Sequence, residues 1–345
     1  MNRSYSCAHP VAAVPVCSVL FLLLQLSAVF AAPEPDRLDP SSFPSSEPVQ
    51  TYNRGLNQFE QDRFEQAREA FVRVTDTAQN NKLKARASYM KARCTFEGED
   101  YIGAIDDFQS FSRAYPNSTL RREALRYQLD AAFKLMNGEQ NRTLLGLPIL
   151  SARGTGERVV RKILEEYPFE KFSDDYQYRL ANVFYERNEY AAAAEEYLFL
   201  IDQYDRSIWR PSARFLAGVS FFRTVNSISY DTQNLDKAKK QFDKYLNRYP
   251  DGSFVDRARS YIQRINRKLA EKNLRIAEWY TRTGRTTGAI FYYKEVLRIY
   301  PKTDQAQTAV KRLRDIDHPN AALTDPLKQK INTPENTPSK RKETN

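Results

Sequence analysis

Cysteine and histidine are almost missing from this chain. Three cysteines and two histidines stand among 345 residues, and beyond residue 31 only Cys94 and His318 remain. That scarcity excludes an intrachain disulfide and a Cys/His metal centre in the body of the chain. A Ser–His nucleophile lacks its histidine, because His318 lies beside Pro319, past the last helical pattern. A phosphate-binding loop is missing too. Gly154-Thr155-Gly156 is not followed by Lys-Ser/Thr, and no strand pattern precedes it. Adjacent carboxylates occur at Asp106-Asp107, Glu165-Glu166, Asp174-Asp175 and Glu195-Glu196, among others. Neighbours i and i+1 on a helix do not face one another, so these read as solvated charges rather than acid–base pairs. Cys94, among apolar helical positions, reads as an inert core residue. The chain is expected to be no enzyme, with no catalytic residue, cofactor or metal.

What is present is periodicity. From Leu235 to Tyr300, two short amphipathic segments ending in Tyr-Pro flank one long segment. Ala238, Phe242 and Pro250 stand at offsets 0, +4 and +12, and Ala289, Tyr293 and Pro301 repeat them. A small residue lets two helices approach, an aromatic one turn later fills the groove, and proline ends the helix. Ala104, Phe108 and Pro116 follow the same rule. Ala67 with Phe71 and Ala193 with Tyr197 follow it with Gln79 and Asp205 in place of proline; Gly156, Val160 and Pro168 match more weakly. A partner small residue twelve positions upstream is found at Gly55, Ala92, Ala181 and Ala277, but not at Asn226 or Leu144. The anchors are spaced by roughly the 34-residue tetratricopeptide period plus insertions. The pattern predicts an all-α, right-handed helical solenoid of about six helix pairs over residues 49–316, with no sheet. Asn141 to Gly156 reads as a loop insertion, either packing Leu144, Leu145, Leu147 and Ile149 onto neighbouring helices or binding a partner. The predicted helices flanking it end at Met136 and resume at Glu157.

The ends read differently. Residues 1–31 hold one charge, Arg3, then an apolar run from Val16 to Phe30 and a small-residue exit at Val29-Phe30-Ala31. This is the form of a secretory signal peptide cleaved after Ala31. The competing reading is an uncleaved anchor, since Val11 to Ala32 approaches the ~20 residues that span a bilayer. Cys17 precedes most of the apolar core, so it does not have the position of a lipoprotein cysteine. Residues 32–48, dominated by Pro, Ser and acidic groups, read as a flexible linker, and residues 317–345 as a disordered tail. Losing Arg3 would take the formal charge from +10 to +9. With both signs interspersed, that suits a charge-assisted protein contact rather than nucleic acid, and Lys340-Arg341-Lys342 is too short to alter this.

Residues 226–301 carry a family resemblance. Tyr230-Asp231, Lys268-Leu269-Ala270-Glu271, Ala277-Glu278-Trp279-Tyr280, Gly284 and Tyr300-Pro301 resemble the pattern of the outer-membrane assembly factor D family, also known as competence lipoproteins. The resemblance implies a periplasmic tetratricopeptide lipoprotein that helps insert β-barrel proteins into the outer membrane of a Gram-negative-type bacterium. It implies as partners the barrel insertase with its accessory proteins, docked by the C-terminal repeats, and unfolded outer-membrane protein segments, received by the N-terminal repeats. Membrane association would then run through those partners or through an anchor. Two departures stand out: the missing lipoprotein cysteine, and Phe291-Tyr292 where the family often has Asn-Arg. The alternative is a periplasmic repeat adaptor for cell-wall or other envelope complexes, on the same fold.

The candidate partner residues lie in the C-terminal hairpin: Arg264, Arg267, Lys268, Lys272, Arg275, Arg282, Arg285, Lys294 and Arg298. Arg264, Lys268, Lys272 and Arg275 share one helix face by their +4, +4 and +3 steps, with Ile265, Leu269, Ile276 and Tyr280 as the expected buried stripe. A solvated basic face is the competing reading. Reversing Arg264, Lys268 and Lys272 to Glu is expected to weaken partner recovery without changing the fold. The aromatic residues are expected to serve the core, with no stacking platform.

Overall fold

The computed structural model describes residues 46–139, 143–144, 147–148, 151–225 and 232–317. The expected signal peptide, most of the linker, His318 and nearly all of the tail lie outside these residues. Thirteen α-helices are found among the described residues: α1 Glu47–Phe59, α2 Phe64–Thr77, α3 Asn81–Glu97, α4 Tyr101–Ala114, α5 Arg121–Met136, α6 Ser151–Glu166, α7 Ser173–Glu186, α8 Tyr190–Gln203, α9 Arg210–Arg223, α10 Gln233–Arg248, α11 Val255–Arg282, α12 Thr286–Ile299 and α13 Asp304–Asp317. The architecture is an all-α helical repeat. Its one departure is a two-residue antiparallel ladder in the insertion, β1 Thr143–Leu144 paired with β2 Leu147–Pro148. The expectation of no sheet is corrected to that extent.

The chain divides into two compact units at Val159/Val160, inside α6. In the first, α1 to α5 pack each on the next, and α1, α3 and α5 also touch one another in succession. Their shared core holds Tyr52, Phe71, Phe108 and Phe133 at 2% exposure or less. In the second, α7 to α13 pack in the same serial manner, and α9 also touches α11. Two clusters of its apolar residues meet on α11. One runs from Ala194 through Phe215, Phe242 and Ile265 to Leu269; the other starts at Ala270 and runs through Ala277, Ala289 and Tyr293 to Ala309. Thus α11, 28 residues long, is shared between both.

One turn geometry recurs. Asp62, Glu99, Gly138, Asn188 and Gly284 adopt φ of 57, 61, 79, 63 and 71°. The next N–H donates to the carbonyl five residues back: Arg63 to Gln58, Asp100 to Thr95, Glu139 to Lys134, Glu189 to Phe184 and Arg285 to Tyr280. This left-handed closure satisfies the last carbonyls of a helix. Gly98 occupies the C-cap of α3 with φ −75°, and the left-handed position falls on Glu99. None of Asn117, Ser118 and Thr119 is the N-cap of the next helix. Leu120 is the N-cap of α5, and Ser118 Oγ accepts the Leu120 N–H at 3.2 Å inside the turn.

Helix α6 starts at Ser151 rather than Glu157. Gly156 is not a loop residue: a Cβ there would stand 2.4 Å from the Ala132 carbonyl of α5. Only glycine permits that approach, which accounts for Gly156 within the helix.

Candidate partner-binding surface

Packing comes first, because it decides which residues remain for binding. Ala67, Phe71, Ala104, Phe108, Ala193, Tyr197, Ala238, Phe242, Ala289 and Tyr293 all have 0% exposure. Gly218 supplies the close approach in the fifth pair, where the twelve-position spacing falls on Asn226: a Cβ at Gly218 would meet the Phe242 ring at 2.8 Å. The insertion around 226–231 displaces this residue from the twelve-position rule, which is why sequence spacing missed it.

The buried stripe of α11 also needs correction. Ile265, Leu269, Ala270 and Ala277 are buried, whereas Ile276 and Tyr280 are half-buried. The alanines take the interior because α12 crosses closely there. A Cβ at Gly288 would fall 2.7 Å from the Tyr280 ring. Tyr280 instead lies at the edge of the crossing, stacked on Tyr292 with ring centres 5.6 Å apart.

The nine candidate cations separate into groups. Arg275 is ion-paired to Glu271 at 2.7 Å, and Arg298 holds Glu295 through two bonds of 2.8 and 2.9 Å. The bonded Arg298 guanidinium lowers the Glu295 carboxyl from its ordinary value. Arg264 and Lys268 lie over the Phe222 ring of α9, 4.7 and 5.9 Å from its centre. Arg285 lies 5.5 Å over Trp279. Arg267, Arg282 and Lys294 are exposed, and Lys272 is half-buried.

Sequence reasoning missed the apolar part of this surface. Trp279, Phe291 and Ile299 are 45, 58 and 41% exposed on the same hairpin, and the Trp279–Tyr280–Tyr292–Phe291 rings touch in series. The register held the signal. With Ala277 and Ala289 buried, residues two positions on point about 200° away, toward solvent. The result is an aromatic strip edged by Arg282, Arg285 and Lys294.

The adjacent carboxylates are not all solvated. Asp107 is half-buried, ion-paired to Lys91 at 2.7 Å and accepting from Thr95 Oγ1 at 2.8 Å. Glu196 is buried, paired to Arg161 at 2.6 Å and accepting from Gln177 Nε2 at 2.7 Å. A 100° step between neighbours turns one member of such a pair inward, where ion pairing offsets its desolvation. Burial raises the Cys94 thiol to about 12. Among the described residues, no helix is long and apolar enough to cross a membrane.

Serial helix pairs with small-residue anchors, one end carrying an exposed aromatic strip, define a tetratricopeptide-type scaffold. Residues 52–119 match the tetratricopeptide repeat family model. Residues 155–328, half of the chain, match the YfiO family, described as an outer membrane lipoprotein, and the chain belongs to that family. Its members are non-enzymatic repeat scaffolds. The outer membrane protein assembly factor BamD of Caulobacter vibrioides is 25% identical over 153 residues, covering 44% of this chain and 50% of that protein. The protein of the same name from Vibrio cholerae is 23% identical over 158 residues, covering 42% of this chain and 64% of that one. The chain therefore spans about half to two-thirds of the length of these curated relatives. A solved tetratricopeptide protein of Thermus thermophilus, TTC0263, is 15% identical with a TM-score of 0.29, covering 62% of this chain and 98% of its own.

Proposed function

We propose that this protein is an exported scaffold of the outer-membrane assembly machinery, held to a β-barrel insertase by its C-terminal hairpin. The exposed strip of Trp279 and Phe291, edged by Arg282, Arg285 and Lys294, carries the reading. It lies within the half of the chain that matches the family. Interface centres are enriched in aromatic residues and Arg, and rim cations guide encounter. In this reading the protein acts in the periplasm at the outer membrane, reached through residues 1–31, while the first unit receives unfolded barrel segments.

The test is affinity purification from detergent-solubilised envelope with Trp279→Ala/Phe291→Ala and, separately, with Arg282, Arg285 and Lys294 changed to Glu. The aromatic pair is expected to lose the insertase at all salt concentrations, and the charge reversal to lose it chiefly at low salt. Full recovery of the insertase with both variants would place docking elsewhere. Recovery of cell-wall enzymes in its place would support the adaptor reading.

A further inference from the structure

A second surface of the unit starting at Val160 is built differently. Arg257 lies over Phe215 and Phe254, 5.0 and 5.6 Å from the ring centres, and Arg264 lies over Phe222 and Tyr261 at 4.7 and 5.1 Å. Arg223 lies against both Tyr185 and Tyr190, 5.1 and 5.3 Å from the ring centres, and donates to Tyr190 Oη at 2.7 Å. All three arginines are exposed, and among the described residues none is ion-paired to a carboxylate. By contrast, Arg259, Arg275 and Arg298 on neighbouring faces are each paired on their own helix. A guanidinium held against a ring by cation–π attraction, with no carboxylate partner, keeps N–H donors available for one.

The spacing narrows the occupant. Arg257 and Arg264 are seven residues apart on α11, and the rings beneath them, Phe215 and Phe222, are seven apart on α9. Two helical turns separate the forks by about 10 Å. In a polyproline II segment, residues i and i+3 share one edge about 9 Å apart, whereas alternate residues of a β-strand stand about 6.6 Å apart. We infer that this face of α9 and α11 binds an acidic, extended protein segment with carboxylates at every third residue. Arg257 and Arg264 each take one carboxylate, and Arg223 lengthens the basic track toward α7. The surface is distinct from the Trp279–Phe291 strip, so its occupant is testable without any insertase.

The probe is a fluorescein-labelled synthetic peptide of repeated Glu-Pro-Ala, titrated into the full chain at low salt and followed by anisotropy. Replacing its Glu by Gln, or spacing Glu at every fourth residue, is expected to weaken binding about tenfold or more, the effect of losing a charge-assisted fork. Arg257→Gln/Arg264→Gln is expected to do the same with an unchanged helical spectrum. Arg257→Lys/Arg264→Lys keeps the charge and lacks the planar fork, so it too should bind more weakly. The peptide-side changes leave the protein untouched, so they decide the matter even if an arginine variant folds poorly. Equal binding of the two Glu spacings, full affinity in the Lys variant, or equal competition by anionic vesicles or an oligonucleotide would reduce the surface to unspecific charge and overturn the inference.

Discussion

Ala289 and Tyr293 show what the anchor rule means at a single residue. Both are fully buried in the cluster that also holds Ala277. A side chain larger than alanine at 289 has nowhere to go, so Ala289→Phe is expected to cost about 1–3 kcal/mol in denaturant unfolding. Gly218 is the same rule without a methyl group. Its missing Cβ would stand 2.8 Å from the buried Phe242 ring, so Gly218→Ala should also destabilise, by about 1–3 kcal/mol. An unchanged denaturation midpoint in either variant would show that the helices can separate cheaply. Cys94 provides a chemical readout of the same core. With its thiol raised to about 12, almost no thiolate exists near pH 8. Iodoacetamide should therefore label Cys94 only as fast as the first unit opens, and at the ordinary rate in denaturant.

At the scale of the element, the hairpin turns are the clearest experiment. Gly284 has φ 71° and nothing within 4 Å of where a Cβ would be, so Gly284→Ala tests backbone strain alone. The expected cost is about 1–2 kcal/mol. Glu99 bears the same strain at φ 61°, so Glu99→Gly should stabilise by about 0.5–1 kcal/mol, the relief exceeding the added chain entropy. Opposite signs in thermal melts of the two variants check both statements. These turns were only partly legible in sequence. Residue type favours Gly98, yet the strained position is the charged residue after it, because the hydrogen-bond closure rather than residue type decides which residue turns left-handed. Helix positions were far more legible, since the Ala–aromatic spacing is a packing requirement written along each helix. The insertions were not. Ser151 to Gly156 looked like loop because glycine usually breaks helices, and no sequence rule announced that Gly156 was needed against Ala132. The binding surfaces were half legible. The cations could be counted, but which were already paired to Glu271 or Glu295, and which lay on rings, depends on three-dimensional neighbours.

For the molecule as a whole, buried tyrosines set a pH limit. Tyr178 and Tyr204 are raised to about 12 by burial, and Tyr89 and Tyr197 are raised as well for the same reason. The neutral phenol is the form the folded chain holds, while in the unfolded chain it ionises near 10. Stability is therefore full below about pH 10 and falls as pH rises from about 10 toward 12, where the unfolded state has released protons that the folded state keeps. Melting temperatures at pH 9 and pH 11 should differ markedly in the native chain. Tyr178→Phe and Tyr204→Phe should reduce that difference, and an alkaline loss that ignores both substitutions would assign it to other groups.

The boundary between the two clusters of the second unit falls between Leu269 and Ala270, inside the unbroken helix α11. No joint exists at that point, so the last helix pair cannot swing without breaking helical hydrogen bonds. Arg264 and Trp279, one from each binding surface, are fifteen residues apart on this rod, or about 22 Å at the helical rise. The helix thus acts as a ruler. A single partner that grips both marks must bridge that gap, which takes about seven residues of extended chain. A shorter connection would leave one grip empty, and a much longer one would forfeit the gain in effective concentration that holding both confers.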